Sequence, residues 1–124
     1  MREIVFRGKR FLNDEWIEGV PYKAKYGDIS AIVDDNEERF MVFAQTVGQF
    51  TGLTDKNGVK IFEGDIVKVF YRDGETEIGT IRYTEICARF QFFGSSEIGY
   101  GVDITCDMEV IGNIHDNQEL LKGG

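Results

Sequence analysis

The sequence predicts a mainly β fold, on three observations. Phe and Tyr are abundant, 10 and 5 of the 124 residues. Turn-forming residues recur at roughly ten-residue intervals. No long stretch repeats its apolar residues at the spacing of a helix face. The length suits one ordinary domain and is too short for two independent cores. A composition of 42% hydrophobic and 29% charged residues is that of a globular chain, not a disordered one. A chain of this size buries roughly two-thirds of its unfolded surface, so folding requires neither a metal nor a disulfide. With one Pro against 15 Gly, backbone freedom sets the turns.

In order along the chain, Glu3 to Arg7 is expected as the first strand, with Ile4 and Phe6 on one face. Asn13-Asp14 turns the chain, and Glu15 to Glu18 returns as a second strand centred on Trp16 and Ile17. Pro21 confines the next extended piece to a sheet edge or a loop, because proline offers no N–H to a ladder. Ile29 to Val33 is a short apolar strand, ended by the acidic turn Asp34-Asp35-Asn36-Glu37-Glu38, and Arg39 to Phe43 resumes extended character. Asp55-Lys56-Asn57-Gly58 is a tight turn, since Asn-Gly accepts the positive φ of a hairpin connection. Ile66 to Tyr71 follows, with Val67, Val69 and Tyr71 on one side. Asp73-Gly74 is a second hairpin turn. Glu75 to Tyr83 and Cys87 to Phe93 are its next two strands, the latter with Ala88, Phe90 and Phe92 facing one way until Gly94-Ser95-Ser96 breaks it. Glu97 to Thr105 and Met108 to Ile111 are two further short strands. Asp116 to Lys122 is the one helical piece, with Asp116 as cap, Leu120 and Leu121 docking it, and Gly123 ending it.

Strands joined by hairpins and closed by a short final strand are the pattern of a small SH3-like barrel. The expected organisation is therefore a single domain over 1–124. An N-terminal β subdomain covers 1–47, an SH3-like barrel covers 48–124, and a short helical turn ends the chain. No repeat of fixed period and no low-complexity segment interrupts it.

Lys and Arg total 14 against 22 Asp and Glu, a net charge of −8. Such a surface repels phosphate backbones, so direct nucleic-acid binding lacks its usual driving force. The charge is uneven. Residues 1–10 carry Arg2, Arg7, Lys9 and Arg10 against Glu3, whereas 11–39 and 75–124 are strongly acidic. A basic start on an acidic body steers partners or simply keeps the protein soluble. No apolar run approaches the ~20 residues of a membrane span. Met1 to Arg10 does not read as a signal peptide, so a cytoplasmic protein without membrane association is expected. Cys87 and Cys106 fit neither a redox nor a zinc spacing. Both are expected reduced and buried, with a disulfide between neighbouring strands as the alternative.

The chain offers little catalytic chemistry. His115 is the sole histidine, and its possible nucleophilic partners, Cys87, Cys106, Ser30, Ser95 and Ser96, lie in no nucleophile-elbow context. Zinc would need at least three good ligands, and structural zinc is rejected. EF-hand registers started at Asp34 and Asp55 place Arg39 and Lys60 where glycine belongs. A looser magnesium site built on Glu63 and Asp65 would suit phosphoryl transfer, but a turn before a strand explains the same two acids. No P-loop is present, and Gly99-Tyr100-Gly101 lacks its third glycine. Phe90, Phe92 and Phe93 would stack bases only beside a basic groove. Phe90 and Phe92 share a face and are expected in the core.

The segment QFTGLTDKNGVKIFEGDIVKV, residues 49–69, resembles the YopX family, small proteins encoded in phages and prophages of Gram-positive bacteria. The opening REIVFRGKR with EWIEG at Glu15 to Gly19 is similar to that family's N-terminal hairpin, and VIGNIHDNQELL, residues 110–121, to its ending. The resemblance implies a mostly β fold with an SH3-like barrel. It implies no activity, no cofactor and no catalytic or metal-binding residue. The motif residues are expected to act structurally. Gly52, Gly58 and Gly64 permit bends, Asn57 holds a turn, and Asp65 accepts backbone amides at a strand entrance.

The expected function is accordingly that of a phage-encoded accessory module in the host cytoplasm, self-associating and binding an unknown phage or host protein. Two alternatives of other classes are an acidic nucleic-acid mimic that occupies a DNA-binding protein, and a metal-dependent phosphoesterase using Glu63 and Asp65.

Overall fold

The computed structural model describes residues 5–26, 29–85, 88–94, 100–101 and 107–122. Within these the chain is antiparallel β apart from a 3-10 turn at Ala44–Thr46 and one helical turn. It divides into two compact units, Met1–Gly52 and Leu53–Gly124.

In the first unit β1 (Phe6–Lys9), β2 (Trp16–Tyr26), β3 (Ile29–Val33), β4 (Arg39–Phe43) and β5 (Gly48–Thr54) lie in the order β4-β3-β2-β1-β5. β5 passes into the second unit and turns back through Asp55–Gly58 onto β6 (Lys60–Phe62), which completes this sheet. Strand alternation sorts the side chains. Pro21, Ile32 and Phe40 form one cross-strand row on the inner face, with Ile32 and Val42 fully buried. Short polar side chains build both turns. Asn13 accepts from the Glu15 amide, and Asp34 Oδ1 accepts from those of Asn36 and Glu38. These bonds hold Asp14 and Glu37 at positive φ, 61° and 62°, a conformation that local side-chain bonding to backbone amides makes accessible. The edge of β4 is covered: Arg10 bridges Val42, and the Phe11 N–H donates to Met41 O at 2.9 Å.

The second unit carries β7 (Asp65–Phe70), β8 (Thr76–Thr84), β9 (Arg89–Phe93), β10 (Tyr100–Gly101) and β11 (Asp107–Asn113) in the order β10-β9-β8-β7-β11, and α1 (Glu119–Lys122) follows. Its core is Ile61, Val67, Val69, Ile81, Phe90, Phe92 and Met108, with Tyr71 and Val110 packed against it. Each such side chain contributes about 1.5–3 kcal/mol of burial, so this cluster dominates the unit's stability. The β7–β8 hairpin turns at Gly74, φ 90°, where Asp73 accepts the Glu75 amide at 2.9 Å.

The fold is mainly β in two antiparallel sheets. The second sheet is a meander from β7 to β10 with β11 returning beside β7, and neither sheet closes among the described residues, so the expected SH3-like barrel is not shown. Several boundaries differ from expectation. β1 begins at Phe6 and runs to Lys9, because the turn is set by the Arg10–Glu15 backbone pair. β2 continues through Pro21 instead of ending at Glu18. The β1–β2 ladder ends at Phe6–Gly19, two residues short of the proline, and Pro21 itself pairs with Ile32 in the β2–β3 ladder, so this piece is a strand with β3 beside it and not a loop. β9 starts at Arg89, since Ala88 has φ 51° and belongs to the preceding turn. The helix shrinks to Glu119–Lys122, because Asn113 and not Asp116 organises its approach: Asn113 Oδ1 accepts from the His115 and Asp116 amides. Cys87, Cys106, Ser95, Ser96, Gly99 and Gly123 lie outside the described residues, as does most of the expected strand Glu97 to Thr105.

Candidate interaction surface

The segment Gln49 to Val69 builds two carboxylate-centred clamps in the second unit. Asp55, 7% exposed, uses Oδ1 to accept the amides of Asn57 at 2.8 Å and Val59 at 2.9 Å. Its Oδ2 accepts the Val110 amide of β11 at 2.9 Å. The neighbouring Lys56 amide donates to Met108 O at 3.0 Å, and Asn57 Nδ2 reaches Glu109 Oε2 at 3.3 Å. The turn is thereby stitched to the outer edge of β11. Burial pushes the Asp55 carboxyl up, but the amides of Val110, Val59 and Asn57 together with Lys56 outweigh it and hold the group below the ordinary aspartate value of 3.8.

Asn57 and Gly58 form the far side of this turn, Gly58 at φ 81° with its N–H donated to Asp55 O. Gly52 also has positive φ, 91°, in β5. Gly64, at φ 92°, donates to Ile81 O at 2.8 Å and accepts from Ile114 N at 2.9 Å. Asp65, 1% exposed, accepts the Phe62 amide at 2.7 Å through Oδ2 and pairs with Asn113 in the β7–β11 ladder. The sequence marked Gly52, Asn57, Gly58, Gly64 and Asp65 but missed Asp55. Its signal is an aspartate two residues before an Asn-Gly pair, the position from which a carboxylate caps its own turn.

Among the described residues no three His, Cys, Asp or Glu side chains gather to hold a metal ion. Glu63 is half-buried, and Asp65 is engaged with the Phe62 backbone. The backbone N–H of His115, beside Gly64, donates to Asn113. Ser30 pairs with Val42 on the inner face of the first unit. Phe90 and Phe92 are core residues, whereas Phe93 lies on the other face of its strand under the Arg82 guanidinium, 4.7 Å from the ring centroid.

The outer face of the first unit is different in character. The register places Trp16 with Lys9, Glu18 with Arg7, Val20 with Val33 and Arg39, and Tyr22 with Ala31 and Met41 in successive rows. Val20 is 57% exposed, Tyr22 46% and Met41 41%, while Ala31, small and central, is fully buried between its neighbours. The Arg39 guanidinium lies 4.1 Å from the Tyr22 ring centroid and that of Arg7 4.7 Å from Trp16. Phe11 extends the patch by packing on Phe43 at 5.4 Å between centroids. Exposed aromatic and aliphatic groups flanked by arginine make up the composition of a binding surface. Sequence reading did not single this face out, because its residues come from three strands whose register fixes the rows.

Two antiparallel sheets, carboxylates bonded to backbone amides and an exposed apolar face define a small β protein. The model of the family described as YopX protein matches residues 5–122. The chain belongs to the YopX family. It is also similar to the crystal structure of protein EF1440 from Enterococcus faecalis, with 26% identity, a TM-score of 0.60, and coverage of 98% of this chain and 99% of that one. No curated protein matches the chain. Among the described residues no helix is long and apolar enough to cross a membrane.

Proposed function

We propose that this YopX protein is a phage- or prophage-encoded accessory protein of the bacterial cytoplasm that works by binding another protein or by self-assembly, and not by catalysis. The observation that carries this reading is the outer face of β2–β4, where Val20, Tyr22 and Met41 stand exposed beside Arg39. In this reading the second unit is an SH3-like barrel serving as the scaffold. Its support is the strand order, a meander whose last strand returns to the first. Affinity capture on the immobilised full chain, from Gram-positive host lysate with and without prophage induction, tests the reading. Wild type retains specific proteins, and a Tyr22→Asp, Met41→Asp variant with unchanged melting temperature loses them. Equal retention by both, or by neither above bare matrix, overturns it.

A second reading, the acidic nucleic-acid mimic, draws on one feature. The β1–β2 and β3–β4 turns lie at the same end of the first unit, because the strands alternate in direction, and they bring Asp14, Glu15, Asp35, Glu37 and Glu38 to that end. Competition between the protein and duplex DNA for a captured partner separates it from the first.

A further inference from the structure

The outer face of the second sheet gathers cations around aromatic rings. We propose that this face binds single-stranded nucleic acid, at a site separate from the outer face of the first unit and independent of the protein-binding reading.

Alternation along β7, β8 and β9 turns Val67, Val69, Ile81, Phe90 and Phe92 into the core. It turns Lys68, Phe70, Ile78, Arg82, Arg89 and Phe93 to the opposite face. Lys68 pairs with Ile78 and Thr80 with Phe93, and Arg82 and Arg89 follow one and two rows further on. Lys56 and Lys68 reach over the Phe70 ring, 4.1 and 5.6 Å from its centroid. Arg82 lies 4.7 Å from the centroid of Phe93, and its Nε donates to Thr80 Oγ1 at 3.1 Å. Ile78, 41% exposed, stands in the row between the two rings. Among the described residues Lys68, Arg82 and Arg89 form no ion pair, whereas Lys56 also acts on the Asp55 carboxylate. The acids that the described register brings to this face are Asp107 and Glu109 of the flanking β11, and Glu109 accepts from Asn57 Nδ2.

Cations held by rings and a hydroxyl call for an anionic ligand, and the rings narrow its class. A net charge of −8 does not forbid one, because exposed charges farther off than a Debye length of about 8–10 Å are largely screened. A single strand supplies phosphates for the cations and flat bases for the stacked Arg82 and Phe93. An acidic polypeptide supplies the charge without the flat rings. A duplex is rigid, and its second backbone would run past the cations onto Asp107 and Glu109 or onto the exposed Asp73 and Glu75 of the β7–β8 turn. From Lys68 to Arg89 the stripe follows β8 from Ile78 to Thr84, roughly 20 Å at ~3.3 Å per residue, which suits a few nucleotides. The sequence offers Phe93 no basic surroundings; strand pairing supplies them.

Fluorescence anisotropy of the purified full chain with a labelled oligothymidine of about 16 nucleotides provides the test. Wild type is expected to bind saturably, with log K falling against log salt at a slope of about −2, the sum of about −0.7 for each of three phosphates neutralised. Lys68→Gln with Arg82→Gln is expected to weaken binding about tenfold or more, and Phe93→Leu, which keeps bulk but loses the ring, about fivefold or more. Lys60→Gln, on β6 of the other sheet, is expected to stay within about twofold. Thermal melting checks that each variant folds. Photocrosslinking of wild type to the same oligonucleotide carrying 4-thiothymine is expected to map to β7–β9, and carries the test whatever the variants do. Absence of saturable binding at low salt, equal binding of a duplex, displacement by poly-glutamate as efficient as by unlabelled oligothymidine, an equal loss in Lys60→Gln, or cross-links confined to the first unit overturns the proposal. None of these outcomes bears on the capture experiment, whose variants lie on the first unit.

Discussion

Replacing Asp55 by alanine strips one carboxylate from three backbone donors at once: Asn57, Val59 and Val110. A hydrogen bond to a charged group is worth about 1.5–3 kcal/mol net. Asn57 and Val59 are exposed and regain water on losing their acceptor, whereas the half-buried Val110 joins β11 to the turn. The expected loss is about 2–4 kcal/mol, a large fraction of the 5–15 kcal/mol typical of a domain. In a chain of this length that lowers Tm by roughly 6–15 °C. Urea unfolding followed by far-UV circular dichroism reads it directly, with the slope unchanged if the folded and unfolded states keep their exposed areas. The pH dependence has a definite sign. The folded-state pKa of Asp55 lies below the ordinary 3.8, so at pH between the two values the unfolded chain binds a proton that the folded chain refuses. The contribution is therefore complete above the ordinary aspartate range. It declines as pH falls through 3.8 and is gone below the depressed value. Wild type and Asp55→Ala should differ fully at pH 7 and by less under strong acid, where the protonated carboxyl is a weaker acceptor. A loss under about 0.5 kcal/mol at pH 7, within the range of an ordinary surface substitution, or a gap that persists unchanged into strong acid, would refute the clamp.

Further expectations concern the core, a strained turn and metal binding. Ile81→Ala, at a fully buried core position, should cost about 2–5 kcal/mol by chemical denaturation. Ile78→Ala, three residues away on the same strand and 41% exposed, should stay within about 0.5 kcal/mol; equal costs would contradict the assigned register. Gly64→Ala places a side chain at φ 92° and should destabilise by about 1–3 kcal/mol, read as a Tm drop, whereas an unchanged Tm would mean the turn relaxes freely. Titration with Mg²⁺ or Mn²⁺ should give neither heat nor a Tm shift, and a saturable heat would revive the phosphoesterase alternative.

What the residues disclosed in advance follows from how local each determinant is. Hairpin turns were legible because Asn57-Gly58 and Asp73-Gly74 carry their conformational requirement in two adjacent residues. The core of the second unit was legible from alternation at Val67, Val69, Phe90 and Phe92. The clamp at Asp55 was not, because Val110 lies 55 residues away and nothing near either residue announces the pairing. β2 ran longer than expected because the cost of Pro21 depends on whether a neighbour needs its N–H, a property of the sheet and not of the residue. The helix starts later than the residues suggest for a related reason. Asn113 and Asp116 are both capping residue types, and only the geometry of β11 decides that Asn113 takes the amides. The outer face of β2–β4 needed three registers at once to bring Val20, Tyr22, Met41 and Arg39 together.

Whether that face is where the protein makes contact can be read most directly by hydroxyl-radical footprinting with mass spectrometry. The full chain would be compared at low and high concentration and with any captured partner. Oxidation of Tyr22 and Met41 should fall several-fold on association while that of Tyr83, comparably exposed on the second unit, stays constant. Protection of Tyr83 with Tyr22 and Met41 unchanged would place the contact elsewhere and contradict the account.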